Sequence, residues 1–160
     1  MSYSALKLAE SSIYICIRCI TQNRMKTIKE IRPMESKIKT MIIDDSYTNR
    51  MLFKVILEDL DIEVIEVCNA IKALELLEKI NPQIILLDLC LPIMGGIEFL
   101  DELKLRNKEI PVIVISVYDD FESKKEAFRH GASDYLVKPV DLNQFVKKIS
   151  KYIECEISYK

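Results

Sequence analysis

The chain has 160 residues, of which 49% are hydrophobic and 30% charged, and this composition fits one globular domain and excludes a wholly disordered chain. Its formal charge of −2 disfavours wholesale nucleic-acid binding, which needs a basic surface to displace phosphate counterions. The apolar stretch over residues 13–17 stops at Arg18, too short to span a bilayer, and with no secretory signal and scattered cysteines we expect a cytoplasmic protein with reduced thiols.

Charge is unevenly spread along the chain. Residues 1–33 carry a net charge of +4 and residues 34–160 a net charge of −6, which favours a boundary near Pro33. Cys16 and Cys19 lie in the basic segment, but a zinc site needs a second ligand pair. We therefore expect these cysteines to be ordinary residues of an extension.

From Thr40 onward, short apolar runs alternate with amphipathic stretches, a pattern typical of strand-helix units around a parallel sheet. Strands are predicted at residues 41–43, 62–67, 84–87, 112–115 and 135–137. Helices are predicted after an N-cap at Ser46, over about 69–80, over 97–106, over about 121–130 with Gly131 as its C-cap, and after a cap at Asp141. The pattern predicts a doubly wound α/β domain of five strands and five helices.

The first two helices carry apolar residues at helical spacing. In the first helix these residues are Met51, Leu52, Val55, Ile56 and Leu60. In the second, Ile71, Leu74 and Leu77 lie on a different face from Glu75 and Glu78. Such faces are expected to cover the sheet.

Polar and charged side chains follow the predicted strands directly. Asp44 and Asp45 follow the first strand, Asp88 the third, Ser116 the fourth and Lys138 the fifth. Ligands of open parallel sheets bind outside the carboxyl ends of the strands. If the strand order is 2-1-3-4-5, the first and third strands are neighbours about 4.8 Å apart, and the three carboxylates repel one another unless a cation joins them. Mg²⁺ is the cation that such an oxygen-rich pocket favours.

These residues carry a resemblance to a known family. The matching segments are Asp44-Asp45, the run DLCLPIMGG over residues 88–96, Ser116, and YLVKP over residues 135–139. Together they resemble the receiver (CheY-like) domain of bacterial two-component response regulators, over roughly residues 39–154. The resemblance implies a flavodoxin-like (βα)5 fold with strand order 2-1-3-4-5. It also implies transfer of a phosphoryl group from a partner kinase's phosphohistidine to an aspartate.

The resemblance assigns the acidic residues their roles. Asp88 is the expected phosphoacceptor. Asp45, Asp88 and the backbone carbonyl of Cys90 are expected to bind Mg²⁺ directly, and Asp44 through a water molecule. Standing alone, Asp44 and Asp45 would read as helix caps, but their combination with Asp88 favours the functional interpretation.

The resemblance also implies the phosphate contacts and a switch. Ser116 and Lys138 are expected to contact the phosphoryl group, and the peptide bond between Lys138 and Pro139 is expected to be cis. As Ser116 moves, Tyr135 is expected to rotate inward and alter the surface of the fourth helix, fifth strand and fifth helix. Taken singly, Lys138 would read as a solvated lysine and Tyr135 as a half-buried strand aromatic.

Two rival functions fit less well. A haloacid-dehalogenase phosphatase needs a second aspartate two residues after the nucleophile, and Cys90 stands at that position. We therefore expect a phosphoacceptor that at most dephosphorylates itself slowly, rather than an enzyme. A phosphate-independent module of receiver shape would have lost one of the groups above. The histidine His130 is expected to be a favourable charge at a helix C-terminus.

The expected organisation is a basic extension over residues 1–38, a receiver over 39–154 and a tail over 155–160, with no output domain following. Such a stand-alone receiver would take phosphate from a histidine kinase and act by contact on a target protein. The alternative is a phosphorelay intermediate that passes phosphate to a histidine phosphotransferase. A dimer through the fourth helix, fifth strand and fifth helix is also open. No direct nucleic-acid contact and no membrane span are expected.

Overall fold

The computed structural model describes residues 38–158, with side chains described up to residue 153. Within this range five strands alternate with five helices. The strands are β1 (Lys39–Ile43), β2 (Glu63–Val67), β3 (Ile84–Leu87), β4 (Val112–Ser116) and β5 (Asp134–Val137). The helices are α1 (Tyr47–Asp59), α2 (Ala70–Ile80), α3 (Gly96–Leu105), α4 (Phe121–His130) and α5 (Leu142–Ser158). The predictions made for the basic extension, including Cys16 and Cys19, lie outside the described residues.

All five strands run parallel in the order β2-β1-β3-β4-β5. This confirms the predicted doubly wound fold and its strand order. Ile43 at the end of β1 pairs with Val67 of β2 and with Leu87 of β3. Asp44 follows β1 and Asp88 follows the neighbouring strand β3, so the two aspartates lie at the same edge of the sheet. The Asp88 amide donates to the Ile43 carbonyl at 2.9 Å.

Helices cover both faces of the sheet. On one face, α1 and α5 pack on β-strand side chains, and the rings of Phe53 and Phe145 stack with their centroids 5.1 Å apart. On the other face, α2 and α3 contribute Leu77 and Phe99, both fully buried. Burying a side chain of this size stabilises the fold by roughly 1.5–3 kcal/mol. The uninterrupted apolar run of β3 follows from its cover on both faces.

Capping residues mark where the helices begin and end. Ser46, Asn69, Asp120 and Asp141 each accept a hydrogen bond from the backbone N–H three residues further on. Gly131 ends α4 in the left-handed region at φ 109°, which a residue without Cβ adopts at no steric cost. The predicted caps at Ser46, Gly131 and Asp141 are confirmed.

The buried face of α1 differs from the predicted one. Ile56 and Leu60 are buried as predicted, but Met51 and Leu52 are 44% and 38% exposed. Phe53 and Leu57, which the prediction left out, are buried in their place. The apolar residues of this helix spread wider than the stripe that contacts the sheet, so periodicity alone did not select the inner face. For the same reason Ile71, which begins the apolar face predicted for α2, is 43% exposed.

In the described part of the chain, no helix combines the length and apolar character that crossing a membrane requires.

Candidate functional site

Three carboxylates meet where β1 and β3 end. Asp44 and Asp88 are 3% and 6% exposed, whereas Asp45 is exposed to solvent. One carboxylate oxygen from each of the three lies within 4.8 Å of the other two. The structure thus brings together the three acidic residues that the sequence placed at this edge. Their mutual repulsion favours a cation here.

The Lys138 ammonium, which follows β5, lies against two of these carboxylates. Its Nζ atom is 2.5 Å from Asp88 Oδ2 and 2.9 Å from Asp44 Oδ2, and its side chain is 16% exposed. Burial lowers the pKa of Lys138, but the hydrogen bonds and charges of Asp88 and Asp44 outweigh burial and hold this pKa above its ordinary value. Lys138 therefore carries a positive charge beside Asp88 at neutral pH. The Lys138-Pro139 peptide bond is cis.

The other oxygen of Asp88 is held by the backbone. Asp88 Oδ1 accepts from the Cys90 amide at 2.9 Å, so the carboxylate has a defined orientation. Helix α3 approaches this loop closely at Gly96, whose amide donates to the Leu89 carbonyl at 3.1 Å. A Cβ at Gly96 would lie 2.7 Å from the Asp88 carbonyl oxygen and 2.7 Å from Leu89 Cα. A side chain at this position would displace the backbone of the site.

Ser116 is the last residue of β4, and Tyr135 is the second residue of the neighbouring strand β5. Ser116 is fully buried, and its Oγ accepts from the Tyr118 amide at 3.3 Å. Tyr135 is 8% exposed, and its hydroxyl donates to the Tyr118 carbonyl at 2.8 Å. Burial raises the pKa of Tyr135, although its hydrogen bond with the Ser116 side chain acts in the opposite direction. The Tyr135 ring is thus inward, and the loop after β4 links it to Ser116.

Cys90 and Tyr118 contact each other across two loops that border the site. A hydrogen bond of the Tyr118 hydroxyl to the Cys90 side chain, and the negative charge that Cys90 carries as a thiolate, raise the pKa of Tyr118. Both residues are exposed. Cys90 thus contacts Tyr118 through its side chain and Asp88 through its backbone N–H.

Sequence reasoning missed two residues of the site, both in α1. Asn49 Nδ2 donates to Asp44 Oδ2 at 3.0 Å and to Asp44 Oδ1 at 3.3 Å. Arg50 Nη1 donates to the backbone carbonyls of Asp44 at 2.7 Å and of Asp45 at 3.1 Å. The available signal was the position of Asn49 and Arg50 in the first turn after two aspartates, where helix side chains lie beside the preceding loop.

His130 does not belong to this site. It ends α4 at the opposite edge of the sheet, where its Nδ1 lies 2.6 Å from Asp101 Oδ1. A cavity of about 350 Å³ opens at that edge, lined by Leu103, Lys104 and His130 among others. The acidic cluster and this cavity are separate features.

The arrangement can hold a divalent cation and present a nucleophile to a phosphoryl group. Hard cations such as Mg²⁺ prefer carboxylate and carbonyl oxygens, and the exposed Asp45 leaves the cluster open to solvent. The fixed ammonium of Lys138 beside Asp88 supplies the positive charge that phosphoryl oxygens need. Among known protein families, the model described as "Response regulator receiver domain" matches residues 40–150.

The chain belongs to the response regulator receiver family. It is 30% identical over 115 residues to sporulation initiation phosphotransferase F of Bacillus subtilis (strain 168), a match that covers 72% of this chain and 93% of that protein. It is also 30% identical over 115 residues to chemotaxis protein CheY of Listeria monocytogenes, covering 71% of this chain and 97% of that one. Both are matched over nearly their whole length by the receiver domain described here.

Solved structures agree on the fold. The receiver domain of the Francisella response regulator 1452 superposes with a TM-score of 0.71 at 27% identity, covering 75% of this chain and 99% of that one. A CheY-like receiver domain protein from Methanospirillum hungatei JF-1 gives a TM-score of 0.71 at 28% identity, covering 78% and 100% of the two chains. Receiver domains are signalling phosphoacceptors that generally bind Mg²⁺ at an acidic pocket, and the described residues of this chain include a cluster of three aspartates.

Proposed function

We propose that this receiver accepts a phosphoryl group on Asp88 from a phosphohistidine of a partner histidine kinase, in a Mg²⁺-dependent reaction, and signals by a change of surface. The observation that carries the proposal is the 2.5 Å contact between Lys138 Nζ and Asp88 Oδ2 at the centre of a three-carboxylate cluster. Replacing a buried ion pair with apolar side chains is often neutral or stabilising, so the stability of the fold alone does not account for this cluster. The cluster suits phosphoryl transfer.

The residues present fit the metal. Asp45 and Asp88, with the backbone carbonyl of Cys90, would bind Mg²⁺ directly, and Asp44 would bind it through a water molecule. When bound, Mg²⁺ supplies positive charge to the phosphoryl oxygens and cancels the repulsion among the carboxylates. Support comes from the carboxylate oxygens within 4.8 Å of one another and from the exposure of Asp45.

The chain's own groups orient and stabilise the transfer. The Asp88 carboxylate forms a new O–P bond while the P–N bond of the donor breaks, and the electron pair of that bond stays on the imidazole nitrogen. The Cys90 amide holds the second Asp88 oxygen in place. The Lys138 ammonium moves to contact the phosphoryl group on Asp88, and the Ser116 hydroxyl donates to one of the phosphoryl oxygens. These three contacts position the acceptor and stabilise the charge that develops.

The signal is proposed to leave through α4, β5 and α5. Ser116 and the Tyr135 hydroxyl both bond to Tyr118, so a movement of Ser116 toward the phosphoryl group is transmitted to Tyr135 through this loop. The downstream partner would be a protein that recognises the altered face. We also propose that this receiver meets its partner kinase in the cytoplasm and acts as a phosphoacceptor rather than as an enzyme.

A second candidate is a phosphorelay intermediate that returns the phosphoryl group to a histidine phosphotransferase. It is favoured by the relative named sporulation initiation phosphotransferase F, of which the match covers 93%. The two candidates share the chemistry at Asp88 and differ in the partner of the phosphorylated form.

The test is incorporation of a phosphoryl group, read by intact mass spectrometry after incubation with Mg²⁺ and a small acyl phosphate. The wild-type chain is expected to gain one phosphoryl group, and Asp88→Asn none. Asp119→Asn, which changes an exposed acid in the loop after β4, is the matched control and is expected to behave as wild type. Labelling of Asp88→Asn at the wild-type level would refute the assignment.

A further inference from the structure

Each carboxylate oxygen of Asp44 accepts hydrogen bonds from two donors, and one of these donors, Lys138, also bonds to Asp88. Asp44 Oδ2 accepts from Lys138 Nζ at 2.9 Å and from Asn49 Nδ2 at 3.0 Å. Asp44 Oδ1 accepts from the Ser46 amide at 2.8 Å and from the same Asn49 nitrogen at 3.3 Å. Because this carboxylate is only 3% exposed, water other than the cation-bound molecule proposed above has little access to replace a lost donor.

Lys138 serves two carboxylates at once. It holds Asp44 Oδ2 together with Asp88 Oδ2, and a phosphoryl group on Asp88 would require the same ammonium. When the ammonium moves, Asp44 Oδ2 loses its charged donor. Among the described residues, Asn49 is the side chain that remains bonded to this oxygen.

We propose that Asn49 is a positioning residue, which keeps Asp44 hydrogen-bonded when Lys138 moves from Asp44 to the phosphoryl group on Asp88. The inference rests on the proposed function, since it presupposes that Asp88 receives that group. Asn49 lies in the first turn of α1, three residues after the Ser46 cap, and its backbone N–H donates to Ser46 Oγ, so the helix fixes the backbone that carries its side-chain amide. Its role is to lower the free-energy cost of moving the Lys138 ammonium away from Asp44.

The chemistry of an amide suits this task. Asn49 donates to Asp44 without adding charge, so it leaves the negative charge of the carboxylate cluster available to a cation. A lysine or arginine at the same position would compete with the cation for Asp44. A leucine of similar size would leave Lys138 as the one side-chain donor to Asp44 Oδ2 among the described residues, and stripping a buried acceptor of a donor is unfavourable.

The experiment is a double-mutant cycle between Asn49 and Lys138. Beryllium fluoride, a phosphoryl mimic, is titrated with saturating Mg²⁺ into the wild type, Asn49→Leu, Lys138→Met and the double variant, and binding is followed by ¹⁹F NMR. With Lys138 present, Asn49→Leu is expected to weaken binding about tenfold, the scale of one stripped buried acceptor. With Lys138→Met, Asn49→Leu is expected to change binding by no more than about twofold, because the bond to Lys138 is then missing before and after binding.

Two further variants separate positioning from packing. Asn49→Gln keeps the amide and is expected to recover part of the affinity. Asn143→Leu makes the same change at an exposed position in the first turn of α5 and is expected to bind as the wild type does. Where Asn49→Leu loses its thermal unfolding transition, Asn49→Ala takes its place in the cycle.

The outcomes are distinct. An equal loss with and without Lys138, or no loss at all, overturns the role of Asn49 and leaves phosphorylation of Asp88 standing. Failure of the wild type to bind beryllium fluoride together with Mg²⁺ overturns the proposed function and this inference with it. A loss that depends on Lys138 supports the inference.

Discussion

Lys138 is the residue at which burial and charge oppose each other most directly. Burial alone would lower its pKa, but its contacts with Asp88 and Asp44 raise it above the ordinary 10.5. Because the folded-state pKa is raised, the stability from these ion pairs is fully present below the pKa of the unfolded chain. It is lost as the pH rises through the folded-state pKa. The ion pairs are therefore intact throughout the neutral range.

We expect Asp44→Asn to lower the pKa of Lys138, because the variant removes one of the two charges that oppose burial. The measurement is a pH titration of the Lys138 Cε signal by ¹³C NMR in the absence of divalent cations. Asp119→Asn, an exposed acid that pairs with Lys124, is the control and should leave the Lys138 titration unchanged. An unchanged Lys138 pKa in Asp44→Asn would contradict the account.

Thr40 is a second residue at which burial has a cost. It is 0% exposed in β1, and its Oγ1 has no hydrogen-bond partner among the described residues. Thr40→Val replaces the hydroxyl with a methyl group of similar size, and we expect it to stabilise the fold by about 1 kcal/mol. Urea unfolding measures this, with Thr48→Val on the exposed face of α1 as the matched change. A Thr40→Val variant less stable than wild type would disprove the argument.

At the scale of elements, α3 approaches the loop after β3 closely at Gly96, beside the site. Gly96→Ala places a Cβ 2.7 Å from the Asp88 carbonyl oxygen, whereas a Cβ at Gly95 meets its nearest atom at 3.8 Å. We expect Gly96→Ala to cost about 3 kcal/mol and to slow phosphorylation of Asp88, since helix and loop must separate. Gly95→Ala is expected to cost no more than about 1 kcal/mol. Chemical denaturation of both variants decides the matter, and equal costs would count against a tight contact.

The sequence predicted elements well where one physical cause dominates. The apolar run of β3 has a single explanation, burial on both faces, and its bounds match. Ser46 caps the start of α1 and Gly131 caps the end of α4, and both caps are local features that the sequence shows. Met51 in α1 was assigned to an inner face because several faces of that helix are apolar, and only the position of the sheet chooses between them.

The site was predictable to the same extent. Residues that directly follow strands, such as Asp88 and Lys138, are brought to one edge by topology, and the structure gathers them there. Asn49 was not predictable, because its bond depends on how the Asp44 side chain turns back toward α1. No spacing rule encodes that turn.

At the scale of the whole molecule, the carboxylate cluster couples cation binding to stability. We expect Mg²⁺ at one hundred times its dissociation constant to stabilise the wild-type chain by about 2.7 kcal/mol, because the cation binds the folded state alone. Asp45→Asn is expected to lose most of this gain and, without Mg²⁺, to be at least as stable as wild type.

Thermal unfolding with and without Mg²⁺ measures both effects. Glu109→Gln changes an exposed acid at the far edge of the sheet and should keep the full Mg²⁺ response. The same Mg²⁺ response in Asp45→Asn as in wild type would show that the cation binds elsewhere.

The strand order also divides the site between two halves of the chain. Strands β2, β1 and β3 are contiguous in the sheet and come first in the sequence, and they carry all three carboxylates. Lys138 follows β5, the last strand to be made. Because a ribosome delivers the N-terminal half first, we expect the acidic edge to assemble before its own ammonium arrives. During that interval, divalent cations of the cell are the available counter-charge for the nascent sheet.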